Sequence, residues 1–127
     1  KLQQKLYDTI NLDRFGWINC DRFPGIQNRT DLLVKFNPLD SILYANTYLV
    51  FKDINSVLQS TFGGNLKSPI YSFLNIPVGY KVRLIAYSIK NGKVYSSSSN
   101  LTIAPTQTIT LAFKETDEKN FNKIMGN

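Results

Sequence analysis

The sequence predicts an all-β fold: an antiparallel β-sandwich of about seven strands that ends in a short C-terminal helix. Three observations carry this expectation. Apolar and polar residues alternate, segment after segment, with the two-residue period of a half-buried strand. Turn-forming residues separate these segments at intervals of about 8 to 12 residues, the spacing of a sandwich. Finally, 127 residues with 43% hydrophobic and 13% aromatic content suffice for one domain with its own core, far from the composition of disordered chains. A five-stranded OB-fold is the competing arrangement, because a small basic β domain rich in tyrosine can stack exposed bases.

The chain opens with "KLQQKLYD", where Leu2 and Leu6 lie four apart. That spacing fits one or two helical turns or the end of an ordered linker, so residues 1–8 read as a linker or N-terminal extension and 9–127 as a single domain. From Thr9 the apolar positions alternate through Ile10 and Leu12 and run into "FGWINCDRF" at 15–23. One bent strand or two short ones would place Ile18 and Cys20 on one side and Trp17 and Asn19 on the other. "TDLLVKF" at 30–36 sets Leu32, Val34 and Phe36 against Asp31, Leu33 and Lys35, a half-buried strand. "TYLVFKD" at 47–53 is apolar on both faces until its charged end, as a central strand would be.

"INSVLQSTFGGNLKSP" at 54–69 contains Gly63-Gly64 and Pro69 and reads as a turn-rich connection with one short helical or edge element around Val57. "IYSFLNI" at 70–76 resumes the strand pattern, and Pro77-Val78-Gly79 fits a type I turn, with proline presetting φ. "YKVRLIAYSIK" at 80–90 is the longest strand candidate. Asn91-Gly92 follows, the strongest hairpin signal in the chain, because a type I′ turn needs positive φ at both positions. The returning strand is "KVYSSSSN" at 93–100, polar enough for a sheet edge, and "QTITLAF" at 107–113 is the last. In the tail, Thr116 is the expected N-cap of a helix over 116–125, with Asp117 and Glu118 in its first turn, Lys123 near its end and Gly126 as its stop. Phe121, Ile124 and Met125 would form its apolar face.

Composition excludes several chemistries. The chain has no histidine, so Ser-His-Asp and Cys-His catalysis and His-containing metal sites are ruled out. A single cysteine forms no internal disulfide, four-thiolate zinc site or iron–sulfur cluster. No carboxylate spacing marks a glycosidase pair, and "DINS" at 53–56 lacks the continuation of an EF-hand loop. We therefore expect no enzyme, no cofactor and no metal. Fifteen Lys and Arg against nine Asp and Glu leave a net charge of +6. Most are spaced singly, as solubilising charge is, and the densest group is Lys81, Arg83, Lys90 and Lys93. No apolar run approaches the ~20 residues that span a bilayer. The start on Lys rather than Met fits a removed leader or a piece of a longer protein.

Two candidate sites emerge. On the hairpin, Lys81, Arg83, Ile85, Tyr87 and Ile89 share one face of the first strand, Tyr80 precedes it, and Lys93 and Tyr95 come from the second. Interleaved basic and aromatic groups on a sheet bind anionic glycan or single-stranded nucleic acid. Nucleic acid is the less favoured of the two, and much of such a face is ordinarily covered by a helix or a second sheet. In "GWINCDRF", Cys20 as a nucleophile would need a neighbouring base, yet adjacent strand residues point to opposite faces and no imidazole exists. Trp17, Cys20, Asp21 and Arg22 are thus expected to be a structural signature, with Cys20 in the core and Trp17 over one end of it. Asn28-Arg29-Thr30 and Asn100-Leu101-Thr102 match the glycosylation sequon, which matters only in a eukaryotic secretory setting.

Tyr71, Phe73, Asn75, Ile76, Pro77, Gly79, Tyr80, Val82 and Leu84 complete a further pattern: an aromatic-x-aromatic strand leading through Asn-Ile-Pro-x-Gly into a Tyr-x-Val-x-Leu strand. It resembles the prealbumin-like, carboxypeptidase regulatory-like family of Ig-related sandwiches. "GWINCDRF" followed by Thr30-Asp31-Leu32 is similar to a segment of uncharacterised secreted or surface proteins of Bacteroidetes. The chain departs from the regulatory-like pattern in lacking an Asp-Gly turn before the aromatic strand and in adding the C-terminal tail. The resemblance implies an Ig-like (prealbumin-like) sandwich, a non-catalytic accessory, spacer or protein-interaction role, and a secreted, periplasmic or cell-surface location. The implied partner is a protein or a neighbouring domain of the same polypeptide; the alternative partner, a glycan, comes from the basic and aromatic residues of the hairpin and not from the resemblance.

Overall fold

The computed structural model describes residues 2–12, 16–17, 27–36, 45–65, 68–117 and 119–121. They form α1 (Leu2–Ile10), β1 (Gly16–Trp17), β2 (Arg29–Phe36), β3 (Asn46–Phe51), β4 (Ser56–Gln59), β5 (Thr61–Asn65), β6 (Ser68–Pro77), β7 (Lys81–Lys90), β8 (Lys93–Thr102), β9 (Gln107–Leu111) and β10 (Lys114–Thr116). Two sheets face each other in an all-β sandwich. The six-stranded sheet runs β1-β4-β3-β7-β8-β10 and the four-stranded sheet β5-β6-β2-β9. All pairings are antiparallel except β1 with β4 and β2 with β9.

The count of ten strand segments exceeds the expected seven because short pieces join the longer strands. The segment 54–69 is the main correction. The short element expected around Val57 is β4, a strand paired with β3, but the glycines form no turn among the described residues: Gly63-Gly64 lies within β5, opposite Ile70 and Pro69 of β6. Around Ser60, whose amide donates to the Thr47 carbonyl, the chain passes from one sheet to the other. A second switch occurs at Ala112-Phe113, between β9 and β10. Both lateral sides of the sandwich are therefore stitched by a strand that changes sheets, the device that makes corners in packed sheets.

Between the sheets, alternate residues interlock: Leu32 and Val34 of β2, Leu49 and Phe51 of β3, Tyr71 and Phe73 of β6, and Val82, Leu84 and Ala86 of β7. Burial of each large side chain contributes about 1.5–3 kcal/mol relative to exposure. Tyr71 keeps its polar end satisfied, because its hydroxyl accepts a 2.8 Å hydrogen bond from the Ala45 amide.

A second cluster lies on the outer face of the six-stranded sheet. Tyr48 and Val50, Val57, Ile85 and Tyr87, and Val94 are buried there beneath Ile10, Leu12 and Phe121. The Leu2–Leu6 spacing is thus that of a helix, one of its two expected readings, and this helix runs on to Ile10 where a strand was expected to begin at Thr9. It stops where Asn11 adopts φ 49°, a left-handed conformation that asparagine tolerates. Gln4 Nε2 donates to Asp8 Oδ1 one turn later, 2.8 Å away. At the other end, Thr116 belongs to β10, so Asp117 is the cap: its Oδ1 accepts from the Asn120 amide at 2.8 Å. Residues 119–121 are helical, and Phe121 is fully buried with its ring edge-on to Tyr87. Ile124 and Met125 lie outside the described residues.

The hairpin follows the sequence closely. Asn91 and Gly92 have φ 52° and 74°, as a type I′ turn requires. β8 pairs along its whole length with β7, whereas β10 covers only Val94–Ser96. The serine-rich stretch beyond Ser96 therefore has β7 as its one strand partner among the described residues, as a polar edge should.

Candidate functional site

The face of β7 that points away from the four-stranded sheet carries Lys81, Arg83, Ile85, Tyr87 and Ile89 in alternation, as the sequence predicts. Ile85, Tyr87 and Ile89 join the outer cluster under α1 and Phe121, whereas Lys81 is exposed and Arg83 half-buried. The same strand face is apolar and covered at one end and basic and open at the other.

The remaining candidates do not share that face. Directly paired residues of an antiparallel ladder project to the same side. Tyr95 pairs with Ser88, and Lys93 with Lys90, so both project opposite to Arg83 and Tyr87. Tyr95 packs against the core between the sheets. Lys93 Nζ contacts Glu115 Oε1 of β10 at 3.1 Å. That hydrogen bond, and then the negative charge of Glu115 and the proximity of Tyr95, raise the Lys93 pKa above the ordinary lysine value. Tyr80 packs against the inter-sheet core with its ring edge-on to Phe51, centroids 6.0 Å apart. Tyr87 is fully buried. The expected basic and aromatic face is therefore divided: its tyrosines serve two cores, and only Lys81 and Arg83 remain together on an accessible surface.

Those two residues line an open groove of about 550 Å³. Its floor is the β7–β8 ladder, where Arg83 pairs with Asn100 and Lys81 with Thr102. Lys52 and Asp53 rise beside it from the 3-10 turn that follows β3. This turn closes on Asn55, at φ 48°, whose amide donates to the Lys52 carbonyl. The Arg83 guanidinium is oriented by a 2.9 Å bond from its Nε to Ser98 Oγ, diagonally across the ladder. Lys52, Asp53, Asn100 and Thr102 escaped the sequence reading as site residues. Their signals were present in the charged end of "TYLVFKD" and in the fixed register that a two-residue turn imposes.

Of the structural signature, the backbone of Trp17 is described, in parallel pairing with Val57 at the sheet edge. Cys20, Asp21 and Arg22 lie outside the described residues. Among the described residues no three His, Cys, Asp or Glu side chains gather as a metal site would need, and no helix is long and apolar enough to cross a membrane.

Fold and site together define a class: an all-β sandwich, capped by helix on one face, with an open basic groove beside the cap. The chain matches no family model and no curated protein at a significant level.

Proposed function

We propose that this chain is a non-catalytic accessory, spacer or protein-interaction module of a secreted or surface-attached bacterial protein, built on an Ig-like, prealbumin-like sandwich. One observation supports this reading above the others: the described residues of the regulatory-like pattern, with Asp31, serve the scaffold. Tyr71, Phe73, Ile76, Val82 and Leu84 fill the core. Asp31 and Asn75 hold a bulge together, the Asn75 amide donating to Asp31 Oδ1 at 2.8 Å. Such a module works through geometry. Two sheets stitched at both lateral sides hold their loops, and whatever is attached to them, in fixed relative positions.

Two measurements test the proposal. The purified chain, offered ester, glycoside, peptide and phosphate substrates, is expected to turn none over above the buffer rate. Turnover that a single substitution abolishes would overturn the non-catalytic reading. Fractionation of cells producing the full gene product is expected to place it in the envelope, and recovery from the cytosol would overturn the location.

A further inference from the structure

We infer that the groove bounded by Lys52, Asp53, Lys81, Arg83, Asn100 and Thr102 binds a short acidic oligosaccharide, one whose sugar rings carry carboxylate or sulfate groups. The inference rests on reading the chain as a binding and not a catalytic module. It concerns a different constellation from the tyrosine-lined face expected from sequence.

Three features of the groove select this ligand. Its size, about 550 Å³, lies within the about 300–1,000 Å³ of small-ligand sites. Its cations are of two kinds. Lys52, from the 3-10 turn, and Lys81, from the adjacent strand β7, supply compact point charges, while the planar Arg83 guanidinium, aligned by Ser98, suits the paired oxygens of a carboxylate or sulfate. Interspersed with them, the Asn100 amide, the Thr102 hydroxyl and the Asp53 carboxylate offer the donors and acceptors that ring hydroxyls need.

The same features disfavour a nucleic acid strand. Single strands are held by bases stacked on aromatic side chains. Here Tyr87 is buried beneath Phe121, Tyr80 packs on the inter-sheet core and Tyr95 projects from the opposite face. Asp53 repels phosphate, carboxylate and sulfate alike, but a saccharide also brings ring hydroxyls that donate to it, and an oligodeoxynucleotide has none along its chain.

The test is calorimetric titration of the whole chain with three oligosaccharides of matched length and one oligonucleotide: an oligogalacturonate for the carboxylate, a sulfated dextran fragment for the sulfate, neutral dextran and oligo-dT. Binding of either acidic saccharide, or both, is expected, with none of neutral dextran and weaker binding of oligo-dT. Whichever acidic chain binds identifies the anionic group. Affinity should fall as NaCl rises from about 50 to about 200 mM, because the screening length halves roughly. Lys52→Ala and Lys81→Ala should each weaken binding about two- to fivefold, the scale of one exposed ion pair. Lys35→Ala, an exposed change on the other sheet, should leave affinity unchanged. Circular dichroism of each variant verifies the fold, and amide shift changes on the wild-type chain locate the ligand independently of any substitution. No binding by either acidic chain at the lower salt, oligo-dT binding as tightly as the saccharides, or equal losses from Lys35→Ala and Lys81→Ala would overturn the inference. Shortening of the recovered saccharide would preserve the groove as the site and refute the non-catalytic reading.

Discussion

Asp31 and Asn75 stand far apart in sequence and meet across the β2–β6 ladder. Between Thr30 and Leu32 the register shifts, so that Leu74 and Asn75 together oppose Asp31. Asn75 takes φ 57° there, a conformation that asparagine accepts more readily than most residues. Asp31 accepts its amide, Arg29 Nη1 donates to its carbonyl at 3.0 Å, and Thr30 Oγ1 accepts the Thr106 amide at 3.0 Å. Three successive side chains of β2 thus hold a bulge and a distant turn. Asp31→Ala leaves the Asn75 amide without its charged acceptor and is expected to lower unfolding free energy by about 1–2 kcal/mol, measured by urea denaturation. Asn75→Gly should cost less, since glycine takes the same φ freely. In the sequence these residues were visible only as family-like patterns, "TDL" and "NIPVG". Propensity and alternation cannot reveal a bond between residues this distant, so their physical role emerged only from the ladder.

At the scale of elements, legibility depended on local signals. Asn91-Gly92 specifies its own turn, and counting outward from it fixes the entire β7–β8 register. That count also places Lys93 and Tyr95 opposite Lys90 and Ser88. The expectation that they join Arg83 and Tyr87 fails because a shared hairpin does not guarantee a shared face. The strand β5 was illegible for another reason: its glycines carry turn propensity, and only pairing with β6 makes them extended. Lys93 and Glu115 give the β8–β10 junction a pH dependence with a definite sign. Because the Lys93 pKa is raised in the folded chain, the contribution is fully present below the pKa of an unfolded lysine and is lost as pH climbs through the higher folded value. Glu115→Gln should shift the Lys93 Nζ titration seen by NMR back towards the ordinary value. It should also lower the melting temperature slightly at neutral pH, a difference that closes in strong alkali. Both side chains are largely exposed, 62% and 53%, so the change should be small and salt-sensitive.

For the whole molecule, the sandwich was legible because alternation reports which residues face a core. The outer layer was not, because alternation does not say what lies beyond a sheet's second face. β7 is apolar on both sides over Leu84–Tyr87, which predicts a cover without specifying it. The cover is α1 and Phe121. Phe121→Ala removes the ring that closes over Tyr87 and should destabilise the chain by about 3–5 kcal/mol, read from the thermal or urea midpoint. An unchanged midpoint would mean that the outer layer adds nothing to the stability of the sandwich.

That layer also bears on mechanics. The first and last described elements meet on one flank, in a cluster that includes both Ile10 and Phe121. Tension applied through residues 2 and 121 would reach this apolar seam before the ladder of either sheet. The seam would open contact by contact at modest force while the stitched sheets behind it stayed intact. Inserted in a stretched polypeptide, the molecule would lengthen slightly and yield early, like a spring clip fastened to a rigid plate.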